Sequence, residues 1–508
     1  MTVDPTDYRL ADFKLLLPLR PDARTLVIDA EETRFLRHLA GELGEVHAVG
    51  MEPDAQSATL PTSGASSTGR VRRVARPEGL YDLVFSDSLE AARYLLPGGT
   101  LCHLAPDTRD NRSPPLEGLK PMGRWRAFPS WPDFRVLIPD HTAGWRAGVR
   151  GLRLLPMRSW LGLFAQHRPG IAAWKLPGHG IALYRREPQE APNPTSLLEA
   201  ADAALLSAAG REPDSPGFDP MSWVPVSGRL GPGNPILAFR MDRFGNLRRL
   251  IKLARYPDAD HLPQEAQKLQ FIEKALGPEL ATRVIRPTAS TRIDGRAALA
   301  YDYVPTFAFF GLRWRVQSRR RFCLAMTEWL TVVGLVTRRE DGHATAERLH
   351  RAPLRQLIER GILPAAMQVE ARQALAWLDA QSTLPTVFEH GDLGIYNTRM
   401  TGADGSDFRV LDWGSSTFDG IALGDLAYLL SSARAPGKLG SRCLLRYLQQ
   451  LELPTEAAAP LWFAYLARRW AELDTVRAPV AGDPGSGGGV LLAIHAQVRP
   501  YLDHLAAR

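Results

Sequence analysis

Residues 388–397 read FEHGDLGIYN, and residues 409–414 read RVLDWG. Asp392 and Asn397 stand five apart in the first stretch, and Asp412 follows Asp392 by twenty residues. These are the side chains that phosphoryl transfer to a hydroxyl requires. One carboxylate orients the hydroxyl and accepts its proton, while an amide oxygen and a second carboxylate hold magnesium against nucleotide phosphates. The blander alternative is a polar turn between strands that happens to contain His, Gly, Asp and Asn. A single such turn would say little, but two stretches with ordered spacing say more.

The five-residue gap is also that of the protein-kinase loop HRDxxxxN, with D-W-G standing in place of D-F-G. His390-Gly391-Asp392-Leu393 with Asn397 resembles the HGDLxxxN motif of the aminoglycoside phosphotransferase and choline kinase-like family. Gly420 with Asp425-Leu426-Ala427 matches that family's GxxxxDLA. The resemblance covers about 223–505 and implies an α+β, bilobal, protein-kinase-like domain. It also implies a catalytic base at Asp392, metal ligands at Asn397 and Asp412, and buttressing of the catalytic loop by His390 and Asp425.

A kinase-like domain also needs a nucleotide clamp upstream. WVPVSG (223–228), PILAFRM (235–241) and LRRLIKLA (247–254) read as strands, the last two joined as a hairpin by DRFGN (242–246). Lys252 lies on the third of them, where kinases place the lysine that meets the α- and β-phosphates. Glu265 lies thirteen residues on in a helix read over 263–276 and is the expected ion-pair partner, with Glu273 the alternative. Gly228, Gly231 and Gly233 in SGRLGPGN (227–234) could let backbone amides approach phosphate. A plain β-turn competes with that reading. Tyr301-Asp302-Tyr303-Val304-Pro305 resembles the family's inter-lobe hinge, where the backbone at Tyr303 would pair with the base and Asp302 would be structural.

The first 190 residues alternate strand-like and helical stretches, which argues for a parallel α/β sheet. TLVIDA (25–30), VHAVGME (46–52), YDLVFSD (81–87) and GGTLCHLAP (98–106) read as strands; ETRFLRHLAGEL and LEAARYLL (89–96) read as helices. The later part resembles a class I S-adenosylmethionine methyltransferase, with Glu52 where that family places its ribose-binding acid. The first-strand turn, Asp29-Ala30-Glu31-Glu32-Thr33, lacks the glycines that let backbone approach a cofactor. The expectation is therefore a degenerate Rossmann-like domain over 1–190. The kinase-like domain follows over 191–508, with an N-lobe at about 222–305 and a C-lobe at about 306–508. EPQEAPNPT (187–195) reads as the linker, and 54–69 and 482–489 read as loops.

Composition bounds the partners. The chain has 508 residues and a formal charge of +7. Only seven of its 62 basic residues are lysines, so Lys252 on that strand stands out. The charge is spread evenly, +3 over 1–195 and +4 beyond, so no specific nucleic-acid partner is expected. Three scattered cysteines argue against a disulfide framework. The N-terminus lacks a signal-peptide pattern and no run suits a membrane span, so a cytoplasmic protein is expected. FAFFGLRWRVQSRRR (307–321) mixes aromatics with five arginines. It reads first as a solvated basic loop; an anionic-substrate groove or a peripheral membrane-surface contact is the alternative. The reading is an Mg2+-dependent transfer of the γ-phosphoryl group of ATP or GTP to a small-molecule or glycan hydroxyl. A non-catalytic nucleotide-binding scaffold and a bifunctional methyltransferase–kinase acting on polysaccharide are the alternatives.

Overall fold

The computed structural model describes residues 8–19, 22–28, 43, 45–49, 70–105, 118–128, 136–141, 143–144, 180–187, 195–211, 219–227, 234–257, 259–305, 316–361, 363–402, 404–477 and 486–507. The chain forms two compact units. One comprises Met1–Leu262 with Pro287–Tyr303, the other Pro263–Arg286 with Val304–Arg508. The boundary expected near residue 190 lies inside the first unit. The crossing at Tyr303 to Val304 falls in the stretch read as a hinge.

The first unit is built on one mixed sheet of thirteen strands. These are β1 (Arg24–Ile28), β2 (Glu45–Val49), β3 (Arg70–Arg73), β4 (Tyr81–Ser86), β5 (Leu95–Ala105), β6 (Leu119–Phe128), β7 (Val136–Pro139), β8 (Gly180–Arg186), β9 (Trp223–Val226), β10 (Ile236–Met241), β11 (Leu247–Leu253), β12 (Ala289–Ile293) and β13 (Arg296–Asp302). The order runs β12-β13-β11-β10-β9-β7-β6-β8-β5-β4-β1-β2-β3. Pairing is parallel along β3-β2-β1-β4-β5 and antiparallel elsewhere. β1 and β4 carry the near-continuous apolar runs typical of parallel strands; β1 is RTLVI, buried at its three central residues, and β4 is YDLVFS, with only Asp82 less than buried. The two halves of the sheet join at one residue pair, Val136 with Val226, between β7 and β9. A single core runs through both, from Phe13 and Phe85 to Trp125, Trp223 and Ile251.

One local stretch of this unit departs from the sequence reading. LEAARYLL forms only a 3-10 helix, Leu89–Tyr94, and Leu95 already begins β5. Pro97 cannot continue a helix, and Gly99 sits where a Cβ would lie 2.9 Å from the Leu96 carbonyl. The stretch ETRFLRHLAGEL except Leu43, the turn Asp29–Thr33, Glu52, the stretch 54–69 and most of the linker lie outside the described residues. Helix α1 (Leu197–Ala208) starts on a capping box: the Ser196 hydroxyl accepts from the Glu199 amide, and the Glu199 carboxylate accepts from the Ser196 amide.

The second unit is mainly helical. It holds α2 (His261–Ala281, from Pro263 on), α3 (Val316–Thr337), α4 (Ala352–Glu359), α5 (Ala365–Asp379), α6 (Gly424–Ser432), α7 (Gly437–Gln450), α8 (Ala458–Arg477) and α9 (Ser486–Ala506). Helix α9 begins inside the glycine-rich run read as a loop. Gly277 (φ 71°) followed by Pro278 breaks α2 near its end. Among the described residues the unit has two small sheets. β14 (Arg339–Asp341), β15 (Leu384–Glu389) and β18 (Thr417–Ile421) form one; β16 (Thr398–Met400) and β17 (Phe408–Val410) form the other. Trp329, Leu426, Leu444, Trp462 and Trp413 belong to the core that joins these sheets to the helices.

Candidate active site

The candidate loop begins where β15, buried along its whole length, ends at Glu389. The loop runs from His390 to Asn397, and β16 starts at once. The β16–β17 register pairs Thr398 with Val410. One residue further out, the Leu411 amide donates to the Asn397 carbonyl at 3.0 Å. The short hairpin therefore sets Asn397 beside the strand end that carries Asp412. A fifteen-residue separation between Asn397 and Asp412 becomes adjacency through three residue pairs.

Asp392 is buried, and both carboxylate oxygens are held. The Tyr396 hydroxyl donates to Oδ1 at 3.2 Å, and Arg469 Nη2 lies 3.9 Å from the same oxygen. Asn397 Nδ2 donates to Oδ2 at 3.3 Å and to the Asp392 carbonyl at 2.8 Å. Spending its nitrogen this way fixes which side of the Asn397 amide is its oxygen. Asp412 is exposed and adopts a left-handed backbone (φ 65°, ψ 63°). A non-glycine residue in that region is strained, and such strain clusters at functional sites.

The loop is braced from beneath. The His390 amide donates to Asp425 Oδ2 at 2.6 Å, and the Gly391 amide donates to Oδ1 at 3.0 Å. His390 Nε2 faces the Leu411 carbonyl at 3.0 Å, and Nδ1 faces the Asp392 amide at 3.3 Å. A carbonyl can only accept and an amide N–H can only donate. The neutral tautomer protonated at Nε2 satisfies both. Gly391 has φ +79°, and a Cβ there would lie 2.4 Å from the Ser415 carbonyl. Gly420 is equally constrained, since its Cβ would meet the Glu389 side chain at 2.1 Å. Glu389 accepts from the Ile421 amide at 2.7 Å and pairs with buried Arg468 on α8. Burial first, then the nearby Glu389 carboxylate, pushes the Asp425 carboxyl up to about 8, against the two loop amides that favour its charge.

In the first unit, Lys252 lies on β11 opposite Leu237 of β10 and Leu299 of β13, and is buried. Its ammonium sits 5.5 Å from the centre of the Tyr301 ring. The Tyr303 amide donates to the Arg248 carbonyl at 2.9 Å, extending the β11–β13 ladder. Exposed Asp302 pairs with Arg211 at 3.1 Å. In the second unit, Glu265 is buried on α2, and its Oε2 lies 3.7 Å from where a Cβ of Gly414 would be. Lys268 Nζ donates to the Gly414 carbonyl at 3.5 Å. Glu273 instead pairs at the surface with Arg286. Gly228, Gly231 and Gly233 lie outside the described residues, as do 307–315. Of the arginines that follow, Arg319 donates to the Arg434 carbonyl at 3.1 Å and Arg321 pairs with Asp404 at 3.5 Å.

The sequence reading missed Tyr396, Tyr428, Arg468 and Arg469. The hydroxyls of Tyr396 and Tyr428 are hydrogen-bonded to each other. Tyr396 was visible as the neighbour of Asn397. Arg468 and Arg469 sit in an unmarked helical stretch, and nothing local ties them to the loop.

Solved aminoglycoside phosphotransferases are similar to this chain. One is a GDP complex of a mutant 2'-phosphotransferase, with 12% identity and a TM-score of 0.38 over 52% of this chain and 88% of that one. Another, from Streptomyces rimosus with ADP and streptomycin, has 16% identity and a TM-score of 0.33 over 53% and 97%. A spectinomycin phosphotransferase with ADP and spectinomycin has 11% and 0.32 over 53% and 88%. No protein-family model and no curated protein matches the chain.

Proposed function

We propose that this chain transfers the γ-phosphoryl group of ATP or GTP to a hydroxyl of a small molecule or glycan, with magnesium. The observation that carries the reading is the loop itself: a buried Asp392 carboxylate gripped from both sides, next to Asn397 and a strained Asp412. The acceptor oxygen bonds the γ-phosphorus as the bond from that phosphorus to the β–γ bridging oxygen breaks. The hydroxyl proton passes to Asp392, and the nucleoside diphosphate leaves. Tyr396 and Asn397 keep the carboxylate aimed, and His390 and Asp425 keep the loop in place.

The donor set fits magnesium. Among the described residues no group of three or more His, Cys, Asp or Glu forms a cage. One amide oxygen and one carboxylate suit a hard cation that takes its remaining ligands from water and phosphates. Asn397 and Asp412 would hold it, and it would neutralise charge on the β- and γ-phosphate oxygens. Lys252 would meet the α- and β-phosphates and Glu265 would orient it, with the 227–234 loop and the Tyr303 backbone completing the nucleotide site.

We read the chain before residue 190 as Rossmann-like. The support is its parallel order β3-β2-β1-β4-β5, the order of a mononucleotide-binding sheet. The glycine-free turn argues for a scaffold without cofactor, and calorimetric titration with S-adenosylmethionine should register no heat of binding. Among the described residues no helix is long and apolar enough to cross a membrane. The decisive experiment is Asp392→Ala in an acceptor screen that follows nucleotide depletion. Turnover should vanish while magnesium–nucleotide binding survives; undiminished turnover refutes the proposal.

A further inference from the structure

The N-terminal 3-10 helix, Tyr8–Leu16, contributes two charged side chains to the end of the strand that bears Lys252. Asp12 and Arg255 form a bidentate ion pair: Arg255 Nε meets Asp12 Oδ1 at 2.8 Å, and Nη2 meets Oδ2 at 2.8 Å. Their side chains are 1% and 0% exposed. The Ser227 hydroxyl donates to Asp12 Oδ2 at 2.6 Å, and Arg255 Nη1 donates to the Asn234 carbonyl at 2.9 Å. Lys14, also buried, donates from Nζ to the Arg255 carbonyl at 2.6 Å and lies over the Tyr256 ring at 4.4 Å.

Three strand ends converge on this pair. Ser227 follows β9, Asn234 precedes β10 and Arg255 follows β11. The last row that all four strands share before the clamp is Val226, Leu237, Lys252 and Leu299. The clamp thus closes one residue beyond Lys252's row on β9 and three beyond it on β11. It also grips both residues that flank the glycine-bearing stretch 228–233. A buried ion pair is a weak source of net stability, because desolvation offsets most of its attraction. A planar, bidentate pair is a strong source of geometry. Asp12 lies far outside the stretch that resembles a phosphotransferase.

We propose that Asp12 is a positioning residue for nucleotide phosphates: through Arg255 and Ser227 it sets the spacing of the three strand ends around Lys252. The inference rests on the phosphotransferase reading. The test is calorimetric binding of magnesium–ATP to the full chain and to Asp12→Asn, Ser227→Ala and Leu198→Ala. Leu198 is a fully buried residue of α1 in the same core. It serves as a control for loss of packing alone.

Asp12→Asn should raise the nucleotide Kd about tenfold, and Ser227→Ala about threefold, while Leu198→Ala lowers the melting temperature without moving Kd. Ser227→Ala removes one hydroxyl and stays informative if Asp12→Asn fails to fold. Wild-type binding that is unaltered in folded Asp12→Asn and Ser227→Ala overturns the role of Asp12 alone. An equal rise in Leu198→Ala overturns it too, by reducing the clamp to general stability. Absence of binding by the wild-type chain overturns the phosphotransferase reading, a distinguishable result.

Discussion

Replacing Asp425 by alanine removes the acceptor of two buried backbone amides, those of His390 and Gly391. Each orphaned amide costs about 1–3 kcal/mol, so the gross loss is about 2–6 kcal/mol. Removing the carboxyl also ends the cost of burying that polar group, which offsets part of that. A net loss of about 2–4 kcal/mol is expected, with Asn at about half that because it keeps one acceptor. The loss is focused on the loop, so hydrogen exchange over 388–397 should accelerate more than exchange elsewhere. With Asp392 as the proposed base, a displacement of about 1 Å costs about a hundredfold in rate, so kcat should fall while nucleotide KM changes little.

The effect should depend on pH. The raised Asp425 pKa means the native chain holds a proton that the unfolded chain releases above about pH 4. The stability this group contributes is fullest below pH 4 and is lost as pH rises toward about 8. The deficit of Asp425→Asn relative to wild type, read by urea denaturation, should therefore be larger at pH 5 than at pH 8. Unchanged protection of the His390 and Gly391 amides, or a deficit that grows with pH, refutes the reasoning.

Other substitutions probe neighbouring parts. Gly391→Ala should cost about 2–5 kcal/mol, combining left-handed strain with a forced contact on the Ser415 carbonyl, as checked by chemical denaturation. Tyr396→Phe removes the hydroxyl on Asp392 Oδ1 and should lower kcat about three- to tenfold with the melting temperature nearly unchanged. His261, at the start of α2, is pushed down to about 4 by burial first and then by the charges of Lys252 and Arg255. Its stabilising contribution is present above about pH 6.5 and lost as pH falls toward 4; after discounting for solvent it is about 1–2 kcal/mol. His261→Gln should flatten the thermal stability profile between those pH values.

The legibility of the chain follows the range of its interactions. The hairpin of β10 and β11 was readable because alternation and a DRFGN turn set it locally. The shape of the 390–397 loop was readable for a similar reason: the bonds from Asn397 to Asp392 and from Asp392 to His390 close within five residues. Fixed spacing is therefore visible as spacing. Asp425 was found through a motif, although its bonds to the loop are long-range.

The tertiary structure decided the remainder. The separate N-terminal sheet expected from strand–helix alternation continues into the strands carrying Lys252 through a single pair, Val136 with Val226. No periodicity records which edge strand meets which. Arg469 reaches Asp392 from 77 residues away, and Asp12 reaches Arg255 from 243. An isolated charge on an unmarked helix looks the same whether it faces water or a buried partner. By itself the sequence carried the spacing of the 390–397 loop, because the bonds that set that spacing are local. Only the fold decided what holds the loop and the Lys252 strand in place, because those bonds form when distant segments pack.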